Sequence, residues 1–296
     1  MSDSTFTGDP VTVGLVGAGP WAAELHAPML ADGPETRLTA VWARRPEAAA
    51  ELAARHGARA VTRYEELFDH CEAVAFAVPP DVQAEMAPAA ARAGKALLLE
   101  KPIGLDLAGA RRVVDAVEEA GVVSQVVLTK RYHPLTQRFI DEASSFEATG
   151  ARSAYLHGAF LGGKFATPWR LAHGALLDLG PHLLDLLIAA LGPIEDIRGA
   201  GDPRRWVEIT SRHASGVVSQ ASLSGAVSLS RSVTSIELYG TGGSLEFDAN
   251  TIDHDECPPI LRREFATAVR SGTGHPLDAR HGLMLQELLQ RATDSL

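Results

Sequence analysis

VTVGLVGAGPWA, residues 11–22, decides how the first half of the chain is read. The run VTVGLV is short, apolar and valine-rich, as a strand buried on both faces should be. It breaks into GAGPWA, which puts Gly17, Gly19 and Ala22 at the three spacings of a dinucleotide-binding turn. Gly17 permits the tight turn, Gly19 lets the backbone approach a pyrophosphate, and Ala22 keeps the following helix close to its strand. The start of that helix offers unpaired N–H donors to phosphate, so Pro20 and Trp21 are expected at the cofactor as well.

Outward from this turn, apolar runs at 11–16, 37–43, 72–78, 95–100 and 122–128 alternate with amphipathic, alanine-rich stretches near 20–31, 46–56, 81–93 and 105–120. That rhythm predicts a parallel sheet covered by helices, a Rossmann-type domain over 1–130. Gly94 and Gly121 stand where a left-handed residue would close the last two helices. At the end of the second candidate strand, where a carboxylate would bind the ribose of NAD, the sequence reads Ala43-Arg44-Arg45. Guanidinium groups complement a 2′-phosphate, so NADP is expected in preference to NAD. The competing reading leaves both arginines as solvated residues at a helix start.

The 296 residues suffice for two domains, and a hydrophobic share of 46% is that of a globular protein. A net charge of −10 opposes attraction to nucleic acid and to anionic lipid, and neither is an expected partner. Cys71 and Cys257 show no metal-site or disulfide-framework spacing, so neither a metal nor a disulfide is expected. MSDSTFTGDP reads as a loose tail and no uninterrupted apolar run is long enough to span a bilayer; the expected setting is cytoplasmic.

From residue 131 the character changes to an α+β pattern, read as a substrate-binding and oligomerisation domain over 131–296. RYHPLTQRFIDEASSF reads as a helix starting near Pro134. ARSAYLHGAF, RWVEITSRH, GVVSQASLS, SVTSIELYG and SLEFDA read as strands of an open, mainly antiparallel sheet with one packed face, Gly242-Gly243 turning the last hairpin. Within ALLDLGPHLLDLLIAALG, Asp178, His182 and Asp185 fall on one stripe of an otherwise apolar helix. Ionisable groups on a buried stripe are costly unless paired or used. Pro181 places Asp178 at the first turn of that helix or just before it.

Two segments carry a family resemblance. AVPPDVQAEMAPAAARAGKALLLEKPI and DLGPHLLD resemble the Glu-Lys-Pro segment and the D-x-G-x-H-x-x-D motif of the glucose-fructose oxidoreductase/inositol dehydrogenase/MocA (Gfo/Idh/MocA) family. The resemblance implies that Pro79, Glu100, Lys101 and Pro102 lie along the cofactor, often with a cis peptide before the proline. It implies that Lys101, Asp178 and His182 form the catalytic group, and that Trp169-Arg170 joins the cofactor contacts. Gln83 departs from a histidine common in the family and cannot titrate. The family's glycine run before the motif helix is reduced to Gly174, and the second domain is short.

The implied activity is NAD(P)-dependent hydride transfer to or from a hydroxyl or carbonyl carbon of a sugar, inositol or related polyol or ketone, in a homodimer or homotetramer formed through the C-terminal sheet. His182 would act as general base or acid, Lys101 would stabilise charge on the reacting oxygen, and Asp178 would bind a neighbouring hydroxyl. A catalytically silent NADP-binding sensor is the alternative, and transient oxidation enabling elimination or glycosidic cleavage ranks below both. His26, His133, His157 and His173 are expected to be surface or hydrogen-bonded structural residues, and the carboxy-terminal run from Phe265 to be two packing helices without chemistry.

Overall fold

The computed structural model describes residues 8–296. Residues 1–7, most of the segment read as a loose tail, lie outside the described residues. The chain forms two compact units: one runs to Val127 and includes Pro258–Leu283, the other comprises Leu128–Cys257 and Met284–Leu296.

The first unit is a six-stranded parallel sheet in the order β3-β2-β1-β4-β5-β6. Its strands are β1 (Val11–Val16), β2 (Thr36–Trp42), β3 (Arg59–Ala60), β4 (Ala73–Phe76), β5 (Ala96–Glu100) and β6 (Ser124–Val127). The order reverses at β1 and β4, which makes the end of β1 a switch point where α/β sheets bind ligands. Every residue of β4, β5 and β6 is buried, which is why these runs read as apolar on both faces. Helices α2 (Pro46–Arg55), α3 (Pro80–Arg92) and α4 (Leu107–Ala120) follow the expected stretches; Gly121 caps α4 at φ 62° and Gly94 follows α3 at φ 72°. The two-residue β3, too short to carry a period, went unread.

The stretch read as one helix over 20–31 is a π-helical turn, Ala22–His26, followed by α1, Ala27–Ala31, with the Ala27 N–H donating to Ala22 O. The carboxy-terminal segment needs a second correction, because Pro258–Leu283 belongs to the first unit rather than to a domain beginning at 131. Its α7 (Cys257–Ser271) is held by buried Arg262, whose Nε donates to Glu35 at 2.7 Å and whose Nη1 donates to Met29 O at 3.1 Å. Val126 N then donates to Leu277 O at 2.7 Å, covering the β6 edge. Such long-range pairings leave no local sequence signal. α8 runs Ala279–Thr293.

The second unit is a six-stranded sheet in the order β12-β11-β7-β10-β9-β8. Its strands are β7 (Ala148–Leu156), β8 (Ile194–Asp202), β9 (Trp206–His213), β10 (Val218–Ser224), β11 (Val233–Gly240) and β12 (Gly243–Asp248). All neighbours are antiparallel except β7 and β10, so the sheet is mixed. Helices α5 (Pro134–Ser144) and α6 (Pro168–Leu191) pack on one face, with Phe139 stacked on Phe247 at 5.1 Å. Along β9 the residues alternate as read, Val207, Ile209 and Ser211 buried and Trp206, Thr210 and Arg212 exposed on the opposite face.

By length and composition α6 qualifies as a candidate membrane span. Yet 83% of its most apolar window is buried within the protein, and the helix carries five ionisable residues, Arg170, His173, Asp178, His182 and Asp185. Its apolarity is that of a core helix: Leu183, Leu184, Leu186 and Leu187 are each at most 1% exposed. Burial of each such side chain contributes about 2 kcal/mol.

Candidate active site

The dinucleotide turn is built from backbone. Gly17 has φ 118°, and a Cβ there would meet Ala77 O at 2.4 Å, so only glycine fits between β1 and β4. At Gly19 a Cβ would meet nothing within 4 Å, because the position opens on a cleft of about 380 Å³. That cleft is bounded by Gly17–Gly19, Trp42–Arg45 and Ala77–Pro79, which is a cradle of the kind a pyrophosphate and its ribose require. Arg44 and Arg45 are exposed on its rim, and none of its lining residues is acidic. The residues present therefore fit a dinucleotide.

Pro20 is exposed beside this turn, whereas Ala22 is buried against the sheet. Trp21 Nε1 donates to Glu100 Oε1 at 2.7 Å, so its polar atom faces the end of β5. Glu100 is buried, and the Lys101–Pro102 peptide is cis. Gln83, fully buried on α3, accepts from Glu100 N and donates to Glu100 O, each at 2.8 Å.

In the second unit α6 changes direction at Gly174, with φ 76° and ψ −167°. A Cβ there would meet Pro203 O at 2.2 Å, and Ala175 N donates to that same carbonyl at 2.7 Å. The single remaining glycine is thus the one the turn cannot lose. Asp178 lies in the first turn beyond the break, as the Pro181 argument placed it.

Asp178, His182 and Asp185 are all buried, and the two carboxylates have different partners. Asp185 Oδ1 accepts from Arg131 Nη1 at 3.0 Å, an ion pair the sequence reading did not find. Asp178 Oδ2 lies 3.1 Å from Arg170 Nε, and the Arg170 guanidinium stacks 5.0 Å over the Trp169 ring. Trp169 and Arg170, expected at the cofactor, are here engaged with each other and with Asp178.

Tyr155, on the packed face of β7, was not singled out from the sequence. Its ring lies 6.1 Å from that of His182 and 5.6 Å from that of His157, and Lys130 Nζ sits 5.1 Å over its centroid. Burial and then the Asp178 charge push the Tyr155 phenol up, against the opposing Arg170, so it remains a neutral hydrogen-bond donor at physiological pH. Burial pushes the Lys130 ammonium down to about 8. The signal for Tyr155 was its alternation with Ala151 and Ser153; for Lys130, among ordinary charged residues, there was none.

The four histidines set aside from the sequence divide. His26 is buried and bonded to Glu100 at 2.8 Å, His133 accepts from Leu135 N at the start of α5, and His157 accepts from Ala159 N. His173, favoured among the four, is exposed ahead of the Gly174 break.

A family profile described as an oxidoreductase family with an NAD-binding Rossmann fold matches residues 11–128, and a GFO/IDH/MocA C-terminal domain profile matches residues 147–246. The levoglucosan dehydrogenase of Pseudarthrobacter phenanthrenivorans is 26% identical over 276 residues, covering 78% of this chain and 70% of that protein. The D-glucoside 3-dehydrogenase of Escherichia coli is 28% identical over 203 residues, covering 64% of this chain and 56% of its own length. Among solved structures, GenD2 from gentamicin A biosynthesis in complex with NAD superposes with a TM-score of 0.87 at 24% identity, covering 100% of this chain and 96% of that one. Levoglucosan dehydrogenase in complex with NADH and L-sorbose gives a TM-score of 0.86 at 21% identity, covering 97% of each chain. With both profiles matched in order across most of its length, this chain belongs to the Gfo/Idh/MocA family of oxidoreductases.

Proposed function

We propose that this protein is an NADP-preferring dehydrogenase or reductase that moves a hydride between nicotinamide and a hydroxyl-bearing or carbonyl carbon of a sugar, inositol or related polyol. The observation that carries the reading is the buried, charge-bearing stripe of α6, where Asp178 and His182 interrupt an otherwise apolar helix beside Tyr155 and Arg170. Ionisable groups are retained in such surroundings where they have a task. The names of the matched relatives support a sugar or polyol substrate: levoglucosan, a D-glucoside and inositol.

The cofactor, when bound, supplies or accepts the electron pair. His182 takes the hydroxyl proton in oxidation and returns it in reduction, since an imidazole titrates near operating pH. Lys101 donates to the reacting oxygen and stabilises the negative charge that develops there. Asp178, held by Arg170, accepts from a neighbouring substrate hydroxyl and fixes the sugar's orientation. Arg44 and Arg45, at a cleft rim without carboxylates, favour a 2′-phosphate. Self-association through the open face of the second sheet belongs to the same reading, supported by exposed Trp206, Val218 and Tyr239 on its strands.

The test is turnover of the purified protein with NADP⁺ or NAD⁺ against levoglucosan, D-glucose, D-glucosides and inositols, and with NADPH against the corresponding ketones, read as nicotinamide absorbance. Lys101→Ala and His182→Ala should each lower kcat by about 10²- to 10⁴-fold while NADP⁺ still binds. Wild-type turnover in either variant would overturn the assignment. Tight cofactor binding without oxidation or reduction across the panel would favour the sensor instead.

A further inference from the structure

Trp21 and Glu100 are read from the sequence as cofactor contacts, yet their polar atoms are turned toward each other. Glu100 Oε1 accepts from Trp21 Nε1 at 2.7 Å and lies 2.8 Å from His26 Nε2, while Oε2 accepts from Lys101 N at 3.2 Å. The Glu100 backbone is clamped separately: Gln83 Oε1 takes its N–H and Gln83 Nε2 donates to its carbonyl, both at 2.8 Å. Every polar group of Glu100 is therefore occupied by the turn after β1, by α3 or by its own neighbour.

The donor inventory decides which way the bond from His26 runs. An indole N–H can only donate, so Oε1 is an acceptor, and the imidazole must present Nε2–H to the same oxygen. His26 Nδ1 is buried without a hydrogen-bond partner, so the ring is held from its Nε2 side. His26 is fully buried and Glu100 is 7% exposed, so the carboxylate depends on these donors for its solvation.

We infer that Trp21, His26 and Gln83 are positioning residues for Lys101, acting through Glu100, and that the glutamate of the Glu-Lys-Pro turn serves the lysine rather than the cofactor. A lysine ammonium stands at the end of a four-carbon stem with many rotamers, so its placement depends on how firmly its own backbone is held. Misplacing a reacting group by about 1 Å costs on the order of 10²-fold in rate. Because Trp21 and His26 lie on the segment that leaves the Gly17–Gly19 turn, the same contacts tie the lysine to the element that cradles the dinucleotide. The inference rests on the role proposed for Lys101.

The test compares wild type with Glu100→Gln, His26→Leu, His26→Gln and Lys101→Ala in the full-length protein with NADP⁺. Glu100→Gln keeps Oε1 but turns the atom facing Lys101 N into a donor, and His26→Leu removes one donor to Oε1. Both should lower kcat by about 10- to 100-fold, leave the NADP⁺ Kd within about threefold by fluorescence quenching, and speed amide exchange at residues 100–101. His26→Gln, which can donate from a similar place, should restore most of the loss; if the leucine variant fails to fold, Glu100→Gln alone carries the test. Three results in Glu100→Gln or His26→Leu would overturn the inference: a kcat within about twofold of wild type, unchanged exchange, or an NADP⁺ Kd rising in step with the fall in kcat, which returns Glu100 to the cofactor. Lys101→Ala separates the two levels. Wild-type turnover in that variant removes the parent reading, whereas its collapse alongside unaffected Glu100→Gln and His26→Leu removes only the positioning network.

Discussion

The helix after β1 and the helix α6 begin alike and are held differently. Each follows a glycine with positive φ pinned against a carbonyl, Gly17 on Ala77 O and Gly174 on Pro203 O, so in both units the backbone sets where the helix starts. Beyond that point the first unit fixes its site through backbone and hydrogen bonds, with Gln83, Trp21 and His26 converging on one carboxylate. The second unit relies on ion pairs, Asp178 with Arg170 and Asp185 with Arg131. A phosphate-binding turn needs N–H donors and room for close approach, which glycine supplies. A site for proton transfer and hydroxyl recognition needs ionisable groups in low dielectric, and those require partners.

The contrast is broken most readily at Asp185, which is 0% exposed and paired at 3.0 Å. Asp185→Ala leaves the mostly buried Arg131 guanidinium without that carboxylate and should destabilise the protein by about 3 kcal/mol, toward the lower end for a broken buried pair because Arg131 retains some solvent. Urea unfolding checks this. A loss below about 1 kcal/mol would mean that α6 does not depend on the pair.

Arg270–Glu72 is a surface ion pair of the first unit, and its expected effect is smaller and pH-dependent. Hydrogen bonds from Arg270 hold the Glu72 carboxyl down at about 2, and Arg270 also donates to Asp9 O and Pro10 O. A depressed carboxyl contributes stability above its unfolded value of 4.5, lost as pH falls from there toward 2. Glu72 is about half exposed, so screening limits the contribution to about 0.5–1 kcal/mol. The stability difference between wild type and Glu72→Gln should therefore shrink on going from pH 6 to pH 3 at low salt, and should be smaller at every pH in high salt. A difference that is flat in pH would assign the segment's docking to Arg262–Glu35 and the backbone contacts instead.

What the sequence could disclose follows the same division. VTVGLVGAGPWA disclosed the sheet, its first turn and the cleft because glycine spacing is a local requirement of backbone geometry. The stripe Asp178, His182, Asp185 disclosed a buried polar face because helical periodicity is local too. Partners brought from far along the chain stayed hidden: Arg131 for Asp185, His26 for Glu100, Arg262 for Glu35, and Lys130 over Tyr155. Hidden for the same reason was the return of Pro258–Leu283 to the first unit, since nothing in an amphipathic helix names the strand edge it will cover. Gln83 shows the converse: read as a residue that can hydrogen-bond but not titrate where a histidine is common, it clamps both backbone groups of Glu100, a use open to a neutral amide that both donates and accepts.

The most direct test of the account is a crystal structure of the protein with NADP⁺ and a polyol that it oxidises. The account predicts Lys101 Nζ and a His182 ring nitrogen each within about 3 Å of one substrate oxygen, with the carbon bearing that oxygen facing the nicotinamide ring. A complex in which the two groups point into separate regions, with no ligand atom in reach of both, would contradict it.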